Sequence, residues 1–248
     1  MNFLSFLMAT LIIAHRGGAA LGTENSLSCI EKGIDTGAHM VEVDLHLTAD
    51  RRIVVCHDPR VDRTTNGRGN IEQLTLEQLQ ALRLLRPDGS VSDETIPTLE
   101  QVLDLCHGRC RLLLEIKKQH ARQYDGIEAM ADSIVKAHGM ENEVVFQSFN
   151  DDVLATLHNI NPSLRLEKLL VAKIGNLIID NGFSWFSWDK YDYVASFNIH
   201  RLFGSRRFID TMHAHGKEVK IWTLKRPEQL KPSVQPDGII TDRPDLFI

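Results

Sequence analysis

The sequence predicts a (β/α)8 TIM barrel with a small insertion after its second strand. Short apolar runs without polar alternation, such as "TLIIA" at 10–14, recur along the chain and read as strands covered on both faces. Stretches with apolar residues at helical spacing separate most of these runs, the pattern of repeated β–α units. Histidines, acids and cations gather at the ends of the runs, where a barrel of this kind carries its chemistry. A length of 248 residues suits one barrel core, and no stretch reads as a linker, so a single domain over 1–248 is expected. A doubly wound open sheet is the competing architecture. It is disfavoured because no Gly-rich dinucleotide fingerprint follows the first run and there is no P-loop.

The elements follow in order. Residues 10–14 form the first strand. "ENSLSCIEKGIDTG" (24–37) places Leu27, Ile30 and Ile34 at helical spacing and ends on Gly37, a C-terminal cap. "MVEVDLHL" (40–47) is the second strand, and "RIVVCHD" (52–58) returns from it as a hairpin across "TADRR". Residues 59–96, with "NGRGN" and "RPDGS", are polar and turn-rich; they form the insertion, around one short helix at 74–83. A helix at 98–106, a strand at 111–117, a helix at 126–139 and a strand at 143–149 come next. The helix at 151–160 stops before Pro162. A strand at 164–171 leads into a stretch read as helical but without clear signals. Strands at 193–199, 218–224 and 238–242, with a helix at 206–216, complete the set. The apolar start, "MNFLSFLMA", lacks a basic residue before it and a cleavage site after it, and is too short to span a bilayer. Residues 1–9 are therefore read as a short extension, with no transmembrane segment.

Composition narrows the function classes. Hydrophobic residues make up 43% and charged residues 25%, as in an ordinary soluble globular protein. The net charge of -5 offers no broad basic field to nucleic acid or anionic lipid, although a local phosphate pocket stays open. Of the four cysteines, Cys106 and Cys110 are spaced i,i+4, but no second pair completes a zinc site. Reduced, structural thiols and a cytoplasmic location are expected, with a secreted or periplasmic one left open.

Period-two alternation points Glu42 and Asp44 the same way, into the barrel. Glu115 and Lys117 share one direction on the next strand. Three converging carboxylates repel and are costly to desolvate. A hard divalent cation, Mg2+ or Ca2+ with Mn2+ also allowed, relieves both problems. The competing account pairs each acid with Lys117 or Arg16 in the core; the third carboxylate tips the balance to the cation. His15 and His57 are the acid–base candidates, since histidine titrates near neutrality. Arg16 offers a planar fork to a phosphate and Lys117 a second cation. Trp222 reads equally as a ligand stack or a core residue. His46 is expected to be solvated on the hairpin, His158, His213 and His215 to be on the surface, and Asp242 to be a satisfied strand-end acid.

"AHRGG", "TENS", "EVDLHLTADRRIVVCHD", "DRTTNGRG", "IPTLEQVLDL" and "LLLEIK", followed by "VKIWTL" and "PDGIITDRPD", resemble the glycerophosphodiester phosphodiesterase family in identity and order. The likeness is dense over 11–117, moderate at 143–150 and 217–245, and faint from 151 to 216. It implies a TIM barrel with the insertion after strand two, a cation on Glu42, Asp44 and Glu115, and catalytic His15 and His57. It also implies phosphate contacts from Arg16 and Lys117 and a site role for Asn25. Thr23 stands where the family usually has proline, and Lys225 where it often has asparagine. The implied function is metal-dependent hydrolysis of a small glycerophosphodiester, such as glycerophosphocholine or glycerophosphoethanolamine, to sn-glycerol 3-phosphate and an alcohol. A lysophospholipase D, a non-catalytic phosphate-binding barrel and a carbon–nitrogen hydrolase are the alternatives; the last usually uses His-rich sites. A homodimer is left open.

Overall fold

The computed structural model describes residues 10–117, 124–180 and 183–248; the extension expected at 1–9 lies outside them. Eight parallel strands close into a barrel: β1 (Leu11–Ala14), β2 (Met40–Leu47), β4 (Arg111–Ile116), β5 (Val144–Ser148), β6 (Leu166–Leu170), β10 (Val194–His200), β11 (Glu218–Leu224) and β12 (Gly238–Thr241). The β1–β12 and β1–β2 pairings complete the ring. β3 (Ile53–Val55) runs antiparallel to the end of β2, with Leu45 opposite Val55, as the hairpin predicted.

Alternation sorts the strand side chains into two environments. Val41, Val43 and Leu45 of β2 and Leu112 and Leu114 of β4 face the surrounding helices and join the main core. Ile13, Met40, Leu113, Val145 and Ile240 face inward and form a small apolar layer inside the barrel. Two residues further along the same strands come His15, Glu42, Glu115, Gln147 and Asp242. The chemistry therefore stands one pleat above an apolar floor, towards the carboxyl ends of the strands. On the opposite wall the inward positions are polar too: Lys220 contacts Glu167, which also accepts from Asn198 Nδ2 at 2.8 Å.

Helix starts follow local capping chemistry. Ser26 accepts from the Cys29 amide and begins α1 (Leu27–Asp35), leaving residues 24 and 25 in the loop above the barrel. Capping boxes at Thr75 and Thr98 begin α2 (Leu76–Gln80) and α3 (Leu99–Cys106). The segment around 59–96 has its own apolar cluster, built on Val61, Ile71, Leu79, Leu84 and Ile96, with Val54 and Cys56 from the hairpin. α4 (Ile127–Ala137), α5 (Asp151–Ile160) and α6 (Arg206–His213) lie where helical spacing placed them.

One expectation fails. The stretch after β6 is not helical; it is a three-stranded antiparallel sheet of β7 (Ala172–Ile174), β8 (Leu177–Ile179) and β9 (Phe183–Trp185). Gly175 takes the left-handed conformation (φ 59°) in the turn between β7 and β8, a hairpin signal that outweighs any helical spacing there. All four cysteines are buried free thiols, and burial pushes Cys106 up to about 12 and Cys110 up to about 11. No helix among the described residues is long and apolar enough to cross a membrane.

The turn that carries His15 is pressed from below by α1. A Cβ on Gly33 would come within 2.5 Å of the Gly17 carbonyl oxygen and 3.1 Å of the Ala14 Cβ. Gly33→Ala is therefore expected to destabilise the fold by about 1–3 kcal/mol through overpacking. A lowered denaturation midpoint checks this; an unchanged midpoint would show that α1 does not pack on the turn so tightly.

Candidate active site

β1 ends in a tight turn, His15–Gly17, in which Arg16 takes a left-handed conformation (φ 52°). That conformation is uncommon for a residue with a Cβ and costs energy the surroundings must hold in place. It aims the Arg16 backbone amide at Glu42 Oε2, at 2.9 Å. Asn25, also left-handed (φ 60°), donates from Nδ2 to Asp44 Oδ2 at 2.9 Å. The two strained residues thus each supply a donor to one of the paired acids.

Asp44 and Glu115 lie side by side in the β2–β4 register. Lys117 Nζ bridges them, 2.9 Å from Asp44 Oδ1 and 2.6 Å from Glu115 Oε1. Arg16 Nε lies 3.7 Å from Asp44 Oδ2. The ion-paired account of the acids is therefore realised for Asp44 and Glu115. It does not extend to Glu42, whose carboxylate meets the Arg16 amide and Gln147 Nε2 (3.3 Å), with His15 Nε2 at 4.0 Å. Burial, then the Asp44 charge, pushes the Glu42 carboxyl up to about 8. Burial would also raise Asp44, but Lys117, His57 and Arg16 outweigh it and hold this carboxyl well below its usual range.

Oxygen atoms of Glu42, Asp44 and Glu115 lie within 4.8 Å of one another, and all three residues are buried. Asn25 Oδ1 and Arg16 Nε are buried polar atoms without hydrogen-bond partners among the described residues. An all-oxygen set of three buried carboxyl groups, one of them without a cationic side chain paired to it at close range, fits a hard divalent cation.

The two histidines are held differently. His15 Nδ1 meets Asp242 Oδ1 at 2.6 Å. Burial lowers its pKa, but the Asp242 hydrogen bond and the Glu42 charge outweigh that and the net shift is upward. His57 Nδ1 meets Asp58 Oδ1 at 2.7 Å, yet burial dominates, aided by Lys117 and Arg16, and its pKa falls. His46 lies beneath it. It was expected to be solvated but is buried, because Nδ1 meets the Tyr124 hydroxyl at 2.7 Å and Nε2 contacts the His57 carbonyl at 3.2 Å. Burial lowers its pKa to about 4 and keeps it neutral.

His15, Arg16, Glu42, His57, Glu115, Lys117 and Trp222 all line one cavity at the barrel mouth; Asp44 and Asn25 lie against its wall. Trp222 is half-buried, and its Nε1 donates to the Asn198 carbonyl at 2.9 Å. With Phe149, Leu169 and Ile240 it makes the wall facing the charged groups apolar. Three contributors were missed or undervalued in the sequence. Asp242 orients His15. Arg63, from the insertion, joins Asp58 (2.6 Å) to Glu24 (2.7 Å), which in turn meets Arg16 (3.0 Å). Gln147 reaches Glu42, and its inward place opposite Glu115 was the available signal.

The model of the glycerophosphoryl diester phosphodiesterase family matches residues 15–246. The chain belongs to this family. The glycerophosphodiester phosphodiesterase of Caldanaerobacter subterraneus is 30% identical over 97% of both chains. That of Bacillus altitudinis is 31% identical over 96% of this chain and 97% of its own. The structure of an Oleispira antarctica phosphodiesterase in complex with the product sn-glycerol-3-phosphate aligns with a TM-score of 0.80, at 24% identity, over 95% of this chain and 94% of its own, and shows the common barrel.

Lys117→Met would leave Asp44 and Glu115 buried without their shared cation. In a chelating buffer the variant is expected to lose about 3–5 kcal/mol of stability, the usual cost of breaking a buried pair. Added Mg2+ or Ca2+ should restore part of it; denaturation with and without the ion is the measurement, and full stability under chelation would contradict this reading. Asp242→Asn should lower the His15 pKa, followed by NMR titration of the imidazole. A midpoint unchanged from the parent would remove Asp242 as the cause.

Proposed function

We propose that this site hydrolyses small glycerophosphodiesters to sn-glycerol 3-phosphate and an alcohol, with His57 as general base and His15 as general acid. The observation that carries the site is geometric: His15 and His57, each with an acid on Nδ1, line one cavity with the buried carboxyl cluster, and their opposite displacements assign the two roles. Groups whose environments push their pKa values apart are matched to acid and base roles. Family membership and the sn-glycerol-3-phosphate bound by the Oleispira antarctica enzyme support the substrate class.

A divalent cation, Mg2+ or Ca2+, held by Glu42, Asp44 and Glu115 would supply Lewis-acid polarisation of a phosphoryl oxygen. Arg16 Nε, a buried donor with no hydrogen-bond partner among the described residues, and Lys117 would offset charge on the remaining phosphoryl oxygens as it builds in the transition state. His57, neutral, takes the proton from the attacking hydroxyl, whether that belongs to water or to a neighbouring glycerol hydroxyl that closes a cyclic intermediate. His15, protonated, gives its proton to the departing alkoxide as the P–O bond breaks. Asp242 holds His15 in the donor orientation, and Asp58 and His46 fix His57. The apolar wall of Phe149, Leu169 and Trp222 would receive the carbon skeleton while the phosphate meets the charged wall. Within 59–96 the exposed large hydrophobic is Val91 alone (50%), so the apolar lip there that would favour a lysophospholipid is lacking.

Three variants test the scheme on glycerophosphocholine with Mg2+ or Ca2+. Glu42→Ala should abolish metal-dependent release of glycerol phosphate; full activity would sink the cation assignment. His15→Ala and His57→Ala should each cost about 10²–10⁴ in kcat. A diester with a p-nitrophenol leaving group, which departs without a proton, should recover most of the loss in His15→Ala and little in His57→Ala. The reverse pattern would exchange the two roles.

A further inference from the structure

The sheet of β7, β8 and β9 leaves the barrel at the catalytic end of β6 and takes the place of a helix. Its registers pair Ile174 with Leu177 and Leu177 with Trp185; in the next row they pair Ala172 with Ile179 and Ile179 with Phe183. Residues paired across antiparallel strands point to one face. That face is therefore apolar at all six positions. The alternate residue Ile178 is fully buried in the main core, and Lys173 lies over the core ring of Phe186, so this second face is the one turned inward. The outer part of the apolar face is left to solvent: Phe183 is 77% exposed, Trp185 75% and Ile174 60%, while Leu177 and Ile179 are half-buried and Ala172 is buried.

α6 is the neighbouring element: β6 and β10 pair in parallel, so the excursion after β6 and the loop into α6 after β10 leave adjacent strand ends, and Trp188 stacks on His215 beyond the far end of α6. The loop into α6 adds exposed Leu202 and Phe203, and α6 opens with exposed Arg206 and Arg207. Arg226, after the next strand, extends the cationic edge, and Lys225 beside it pairs with Asp242 at 3.7 Å; Asp210 pairs with Arg206, and Glu228 is a nearby acid. Among the acids of the excursion itself, Asp180 is held by buried Lys168, Asp189 is exposed beside Lys190, and Asp192 lies on the limb descending to the start of β10, where its carbonyl accepts from Lys217.

The geometry points to this face as a docking surface for an anionic phospholipid bilayer. Exposed Trp, Phe, Ile and Leu beside arginine and lysine are the composition of interfacial anchors, where rings enter the headgroup region and cations meet lipid phosphates. A second copy of the chain fits less well. A two-fold contact would bring the arginine edges together. The chain as a whole is acidic (net charge -5), so the attraction is local and short-ranged. Docking here would hold the barrel mouth beside a surface made of phosphodiesters. The inference does not require the diesterase reading, because its readout is binding.

Co-sedimentation with vesicles of phosphatidylcholine alone and of phosphatidylcholine mixed with phosphatidylglycerol tests it. The wild-type chain should bind the mixed vesicles, more weakly as salt rises, and the neutral ones less. Phe183→Ser with Trp185→Ser should weaken binding at least about tenfold, a loss of 1.4 kcal/mol or more. Arg206→Gln with Arg207→Gln should remove the preference for phosphatidylglycerol. The melting temperature and glycerophosphocholine turnover of both double variants should match wild type, which separates lost docking from lost folding or catalysis. No binding by wild type, or equal binding by the serine variant, overturns the proposal. So does a dimer in analytical ultracentrifugation that the serine variant dissociates.

Discussion

Lys117, wedged between Asp44 and Glu115, is the contact on which the rest of the barrel mouth depends. Glu42 and Glu115 stand one pleat above an apolar floor and Asp44 two, where a lone ionised group would be prohibitively costly. Lys117 compensates two of them at 2.9 and 2.6 Å. The third, Glu42, is left with amide donors and a carboxyl pushed up to about 8. The site is thus deficient in positive charge by design of its strands. The Glu42 charge adds to the Asp242 hydrogen bond in raising His15, and the buried all-oxygen cluster is of the kind a hard divalent cation complements.

The strained backbone belongs to the same constraint. Arg16 and Asn25 adopt left-handed conformations because their donors are needed inside a narrow mouth that strands alone cannot reach. Gly17 and Gly33 allow α1 to approach closely enough to hold that turn. The charge deficit is therefore linked, through one tight turn, to the packing of the first helix against the barrel.

Much of this was legible in the sequence because it rests on short-range rules. Period-two alternation alone sends Glu42 and Asp44 inward, and the parallel register then brings Glu115 beside Asp44. What stayed hidden depends on closure. Asp242 meets His15 across 227 residues and Arg63 meets Glu24 across 39, and no local pattern encodes either contact. His46 looked solvated on a hairpin because the Tyr124 that covers it comes 78 residues later. The excursion after β6 was misread for another reason: short apolar runs such as "NLIID" suit strand and helix alike, and only the Gly175 turn decides.

Closure also sets the surroundings of the two histidines apart, which neither spacing nor residue type could do. Both follow a strand and both have an acid on Nδ1, so by pattern they are equivalent. Their surroundings are not. His15 faces the under-compensated Glu42 and has Asp242 behind it, so negative charge outweighs burial. His57 faces Asp44, whose charge is already offset by Lys117 and Arg16, and the same two cations act on the imidazole itself. The two directions thus have different causes. The Asp242 hydrogen bond and the Glu42 charge raise His15 against its burial, whereas burial, helped by Lys117 and Arg16, lowers His57.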